Sequence, residues 1–213
     1  MRIRICVTFL VLLVASPAVR PQELKSILLP SPQTDIGKPL MESLKLRQSS
    51  RSFATKPLPL QEISNLLWAA SGINRPESGK RTAPSAMNWQ EVDIYVVLKD
   101  AAFVYDPKLH CLDPVAAGDL REATGRQPFT KEAPLNLVYV SDRARMSRAS
   151  DEEKVLWGGA DVGFIAENVY LYCASQGLAV VVRGMVDRDA LAPALKLRPD
   201  QKIILAQTVG YPK

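Results

Sequence analysis

A single histidine, His110, occurs in the 213 residues, together with three cysteines, Cys6, Cys111 and Cys173. One imidazole and scattered thiols lack the spacing of a zinc site, and so few cysteines make no disulfide framework for a chain of this length. A lone histidine outside any motif is ordinarily a solvent-facing or structural residue, so no acid–base chemistry is assigned to it. Nucleophile elbows, P-loops and paired-carboxylate signatures are also missing, and the sequence predicts no catalytic side chain of its own. No apolar run reaches the ~20 residues that cross a bilayer. Internal repeats and low-complexity tracts are absent, and 47% apolar with 23% charged residues excludes collagen-like and wholly disordered chains. The 27 lysines and arginines exceed the 22 acidic residues, for a formal charge of +5. No basic stripe accompanies that excess, which argues against nucleic acid as a partner.

What is present begins with an export signal. Arg2 and Arg4 precede an uncharged, mostly apolar run from Ile5 to Ala15, and Ser16-Pro17-Ala18 supplies small residues for cleavage. Residues 1–18 are therefore expected to be a signal peptide, and the mature chain to be periplasmic or secreted. Residues 19–37, with Pro21, Pro30 and Pro32, read as an extended arm, and residues 38–213 as one domain.

Hydrophobic spacing predicts helices over Lys38–Arg47, Leu60–Ala70, 151–176 and 188–197, the third ended by Gly177. Strands are expected near 91–98, 135–140, 178–182 and 203–209, with a hairpin turning at Asp106-Pro107. A polar loop is expected over 73–90 and a short helix over 116–124. Helices and strands mix without regular βαβ alternation, so the fold class is α+β. Cys173 lies in an apolar helix, where a buried, inert thiol is the usual finding.

Four segments carry candidate chemistry. Arg47-Gln48-Ser49-Ser50-Arg51-Ser52-Phe53 sets two guanidiniums among hydroxyls, a donor set suited to phosphate. If the segment is extended, 47, 49, 51 and 53 share one side; a solvated basic helix end is the competing reading. Arg81-Thr-Ala-Pro84-Ser85-Ala-Met-Asn88-Trp89-Gln90 offers amides able to meet a heterocycle edge, or is an ordinary polar loop entering a strand. Gly158, Gly159 and Gly163 cost about 1 kcal/mol each inside a helix. They predict either a close helix–helix approach, within the fold or across a dimer, or a helix that begins only after Gly159. Lastly, a buried strand ends in Arg183-Gly184, placing a guanidinium where it could reach a ligand or stay at the surface.

Taken in this order, and with the closing Val209-Gly210-Tyr211-Pro212, these segments resemble the nitroreductase family of FMN enzymes, in particular the SagB/ThcOx-type dehydrogenase branch. The resemblance implies a nitroreductase-like sandwich, a mixed and mainly antiparallel sheet packed by helices, forming a homodimer with FMN in its interface. By position it implies that Arg47, Gln48, Ser49 and Arg51 hold the phosphate and flavin edge. Pro84, Ser85, Asn88 and Gln90 would meet the flavin, and the backbone of Arg183 and Gly184 would lie near N5. The cation at Arg183, where an acid is common, implies a preference for an anionic reduced flavin or an anionic substrate. The implied activity is two-electron hydride transfer through flavin N5, to or from a small nitroaromatic, quinone or azoline ring, with NAD(P)H or another donor. A flavin-binding or interaction module without turnover is the alternative.

Overall fold

The computed structural model describes residues 24–213, so the export signal expected over 1–18 lies outside the described residues. The chain enters through a two-residue strand β1 (Ile27–Leu28), which pairs antiparallel with Leu112 and Cys111 and covers an edge of the main sheet. Leu29 follows into the core, 4% exposed. Two helices come next, α1 (Leu40–Leu46) and α2 (Leu60–Ser71), each entered from a proline, Pro39 and Pro59.

The stretch 73–90, expected as a loop, contains a small hairpin of β2 (Ile73–Arg75) and β3 (Lys80–Arg81) and a 3-10 turn at Ala86–Asn88. Its polarity hid it, because a two-stranded ribbon at the surface has no apolar face to alternate. Gly79, at φ +65°, makes the turn.

The main sheet then assembles from β4 (Val92–Val97), β5 (Ala101–Asp106), β6 (Cys111–Ala117), β7 (Leu135–Asp142), β8 (Ala179–Arg183) and β9 (Gln201–Gly210). With β1 it has seven strands in the order β1-β6-β5-β4-β7-β9-β8, and every neighbouring pair is antiparallel. The helix expected at 116–124 is corrected here. Ala116 and Ala117 continue β6 against Ala102 and Ala101, Gly118 ends it at φ +95°, and only Glu122–Thr124 forms a helical turn. Pairing with β5 overrides the weak helical preference of the alanines.

Alternation along the strands builds two cores. Leu135, Leu137 and Tyr139 face a layer containing α2 and the long helix α4 (Asp151–Gln176). Val138 and Val140 face the opposite layer, with Leu191 of α5 (Arg188–Ala194). A four-residue helix, α3 (Phe129–Glu132), precedes β7. The architecture is thus α+β, an antiparallel sheet with helices on both faces, the arrangement the resemblance implied.

Helix α4 begins at a capping box, in which Ser150 Oγ accepts from the Glu153 amide at 3.2 Å and Glu153 Oε2 accepts from the Ser150 amide at 2.8 Å. It therefore starts before its glycines, not after Gly159. Gly158 packs against Ser141, where a Cβ would come within 3.0 Å of Oγ. A Cβ added at Gly159 or Gly163 would meet nothing within 4 Å among the described residues. Around them Val155, Leu156 and Phe164 are exposed. Cys111 and Cys173 are both buried free thiols. Among the described residues no helix is long and apolar enough to cross a membrane.

Candidate functional site

After α1 the chain runs extended, held first by backbone hydrogen bonds. The Ser50 amide donates to Val180 O at 2.8 Å, the Ala54 amide to Tyr211 O at 2.9 Å, and Phe53, 2% exposed, forms a bridge with Pro212. This fixes a short strip, 47–51, along β8. Tyr170 of α4 is its anchor. The Tyr170 hydroxyl meets Ser49 Oγ at 2.8 Å and accepts the Val182 amide at 2.9 Å, and the Arg47 guanidinium lies 5.3 Å from the ring centre. Three of the predicted segments thereby meet through one phenol that sequence reasoning passed over as part of an apolar helix. Arg51 is exposed, and neither arginine joins an ion pair among the described residues. Gln48 and Ser50 line a cleft of about 240 Å³ closed by Tyr170, Ala179 and Pro212.

Arg183 departs from its expected exposure. It is 5% exposed, and its guanidinium donates to Thr208 Oγ1 at 3.0 Å, Thr124 O at 2.7 Å and Asn136 Oδ1 at 3.0 Å. Gly125 makes room, since a Cβ there would collide with the guanidinium. Phe129 lies 6.0 Å away, and burial pushes the guanidinium down to about 10. The side chain is turned into the protein and cannot supply a cation to a ligand. Gly184 is exposed and open, so the backbone at this strand end remains accessible.

The loop 84–90 is strained. Met87 and Gln90 hold φ of +48° and +50°, in a region that such side chains avoid, and Asn88 holds +54°, which asparagine tolerates. Ser85 Oγ accepts the Gln90 amide at 2.8 Å and donates to Glu91 Oε2 at 3.2 Å, while the Ala86 amide donates to Asp161 Oδ2 of α4 at 2.9 Å. The Gln90 side chain is occupied within the loop: its Oε1 accepts from Arg81 Nε, and its Nε2 donates to Gly79 O and to Asn88 Oδ1, each at 3.1 Å. Gln90 therefore shapes the loop, whereas exposed Asn88 and Pro84 present its outer surface.

Two buried carboxyls under this loop were not anticipated. Glu91 is 0% exposed and Asp161 2% exposed. Burial, followed by the neighbouring Asp161 carboxylate, pushes Glu91 up to about 7, and its Oε1 has no hydrogen-bond partner. The signal for Asp161 was legible: it stands four residues before Ile165 on the core-facing side of α4.

Along α4, Asp161 and Tyr170 are nine residues apart, about 13 Å in rise and half a turn in phase. The loop and the strip accordingly flank the exposed stripe of Gly159, Gly163 and Phe164 from opposite sides. No hydrogen bond among the described residues joins one to the other.

The Nitroreductase family profile matches residues 44–211. A nitroreductase-family protein of known structure from Ralstonia eutropha JMP134 is 45% identical, covering 94% of this chain and 95% of its own, with a TM-score of 0.85. One from Methanocaldococcus jannaschii is 31% identical over 180 residues, 77% of this chain and 90% of that protein. The NADPH:FMN oxidoreductase of Vibrio harveyi shares the fold at 21% identity, covering 82% and 69% of the two chains, with a TM-score of 0.61. With the order of segments, the antiparallel sandwich and these matches together, the chain belongs to the nitroreductase family and is an oxidoreductase.

Proposed function

We propose that the protein is an FMN-dependent oxidoreductase of the SagB/ThcOx-like branch, exported and working as a homodimer on a small nitroaromatic, quinone or azoline ring. The observation that carries the reading is the Tyr170 junction. One hydroxyl ties the Arg47–Arg51 strip to the strand that ends at open Gly184, so phosphate donors and an accessible backbone edge belong to one rigid unit. The donor set fits FMN: Arg47 and Arg51 are cations without carboxylate partners among the described residues, suited to a phosphate. The Asn88 amide, on a loop whose strain is locked by Ser85 and Asp161, suits a pyrimidine edge. When bound, FMN supplies two-electron hydride chemistry at N5.

The protein's part is to hold and to exclude. The Arg47–Arg51 strip binds the phosphate end, the Gly184 backbone leaves close approach to the ring, and loop 84–90 of a second copy completes the flavin pocket across α4. Dimerisation is supported by the exposed apolar stripe beside Gly159 and Gly163, two glycines with open space above them among the described residues. NAD(P)H is the donor this reading takes, as in the Vibrio harveyi protein, described as an NADPH:FMN oxidoreductase complexed with NAD+.

The test is the visible spectrum of the purified mature protein after FMN is added and the sample desalted. Retained bands near ~450 nm that bleach anaerobically with NADH support a pyridine-nucleotide-linked flavoenzyme. Bleaching with dithionite alone keeps the flavin and redirects the search for a donor, while a colourless protein sinks the cofactor assignment. The double variant Arg47→Ala/Arg51→Ala is expected to lose FMN retention by about a hundredfold or more, from two charge-assisted contacts. Retention at wild-type occupancy would show that the phosphate lies elsewhere.

A further inference from the structure

With Arg183 turned inward, the cation expected beside a ligand is missing from the strand end, but the hairpin β2–β3 supplies others. Arg75 pairs across the ribbon with Lys80, and Arg81 follows on the same strand. All three line a recess of about 210 Å³ that is completed by Pro84, Asn88 and Gln90 of the strained loop. No carboxylate lines this recess, and none of its three cations joins an ion pair among the described residues. The hairpin's own acid, Glu77, sits in its turn, where Ser78 Oγ donates to it at 3.4 Å.

The contrast with the neighbouring arginines is informative. Arg145 is matched by Asp93 and Asp142, and Arg198 by Asp142, at 2.6–3.4 Å. Arg81 has only neutral partners, donating from Nε to Gln90 at 3.1 Å and from one terminal nitrogen to Ser71 Oγ at 3.2 Å. That leaves three of the five N–H donors of a guanidinium unused. Burial, and then the charge of Arg145, hold Arg81 below the usual arginine range. The carboxylates nearest Arg81, Asp93 and Asp106, belong to the adjoining groove and form no ion pair with it. The three cations of the hairpin therefore still repel one another across the recess, and an incoming anion relieves that repulsion.

Resting on the reading that loop 84–90 faces the flavin, we propose that this recess is the acid-binding subsite of the active site. It takes the carboxylate of an aromatic substrate whose reducible ring lies against the cofactor. The volume agrees, because about 210 Å³ falls short of the ~300–1,000 Å³ of a whole ligand pocket and suits one end of a molecule. Asn88 and Gln90 form the wall shared by the two parts of the site. The substrate class is therefore carboxylated nitroaromatics or quinones over their neutral parents.

The experiment compares 4-nitrobenzoate with nitrobenzene as reoxidants of protein reduced by one equivalent of dithionite, in the wild type and in Arg75→Gln/Lys80→Gln. Arg81 stays intact because it also braces the loop. The ratio of the two rate constants, acid over neutral, is expected to fall tenfold or more in the double variant, and further in Lys80→Glu. Titration calorimetry of 4-nitrobenzoate should show a matching loss of binding. A ratio within twofold of wild type, with flavin retained, would overturn the subsite and leave the flavin reading intact. If the protein holds no flavin, the flavin reading fails alone provided wild type still binds 4-nitrobenzoate and the double variant does not. Absence of binding by wild type overturns the subsite in either case.

Discussion

Glu91 keeps its carboxyl in a fully buried position beside a second buried carboxyl, Asp161, and both brace the same strained loop through Ser85 and Ala86. With its ionisation raised from 4.5 to about 7, the folded protein retains a proton there that the unfolded chain gives up. The sign follows from linkage: the native state binds more protons between pH 4.5 and 7, so this group's contribution falls as pH rises through that window. Glu91→Gln keeps the shape of the protonated acid, and its amide can donate to Asp161. The variant is expected to match wild type near pH 5 and to exceed it near pH 8 by on the order of 1–3 kcal/mol, read from urea unfolding at the two pH values. Equal pH dependence in both proteins would mean that Glu91 ionises normally. Arg183 carries the same lesson. Its type and place at a strand end were plain, but whether it faced a ligand depended on Thr124, Asn136 and Thr208, which come from three distant parts of the chain.

At the scale of elements, the arm shows how a segment without periodicity acquires a fixed path. Leu29 donates its amide to His110 O at 3.1 Å, and the Gln33 amide donates to Asn65 Oδ1 at 2.8 Å. Ser64 Oγ donates to Pro30 O at 2.5 Å and meets His110 Nε2 at 2.7 Å, while Tyr105 meets His110 Nδ1 at 2.9 Å. Burial lowers the ionisation of His110, so the fold favours the neutral ring. Its contribution is then lost as pH falls below the unfolded value of about 6.5, where the unfolded chain takes up the proton first. Two treatments should therefore loosen the arm: acidification below that value, or His110→Asn, which tolerates the φ of +48° at this position. Hydrogen-exchange protection factors at Leu29 and Gln33 are expected to drop about tenfold, while β4 and β7 amides keep theirs. Uniform loss across the molecule would instead mean that His110 supports the whole core.

For the molecule as a whole, the decisive feature is what one chain leaves uncovered. The strip at Tyr170 and the loop at Asp161 stand on either flank of an apolar helix stripe containing two glycines with open space above them. Gly163→Arg adds a side chain whose Cβ meets nothing within 4 Å among the described residues, and it replaces a poor helix former, so the fold of the single chain should be unharmed. In the proposed dimer the same side chain obstructs the second copy. Light scattering is expected to report a monomer, and the desalted protein to be colourless, with helical circular dichroism unchanged. A dimeric, yellow Gly163→Arg protein would place the interface on another face.

The sequence alone determined the order and nearly all the boundaries of the main helices and strands, because period and capping are local: α4 ends at Gly177 in the left-handed conformation, as its glycine required. It also located the basic strip and the amide-bearing loop, since residue type suffices to mark charge and hydrogen-bonding capacity. Tertiary structure decided which of these groups face outward. Gln90 is consumed in holding the loop, Arg183 is buried among neutral acceptors, and, besides Arg47 and Arg51 of the strip, cations outside any ion pair among the described residues lie on a hairpin too polar to show a strand pattern. Orientation of a side chain depends on neighbours far away in the chain, and one sequence carries no record of which neighbours those are.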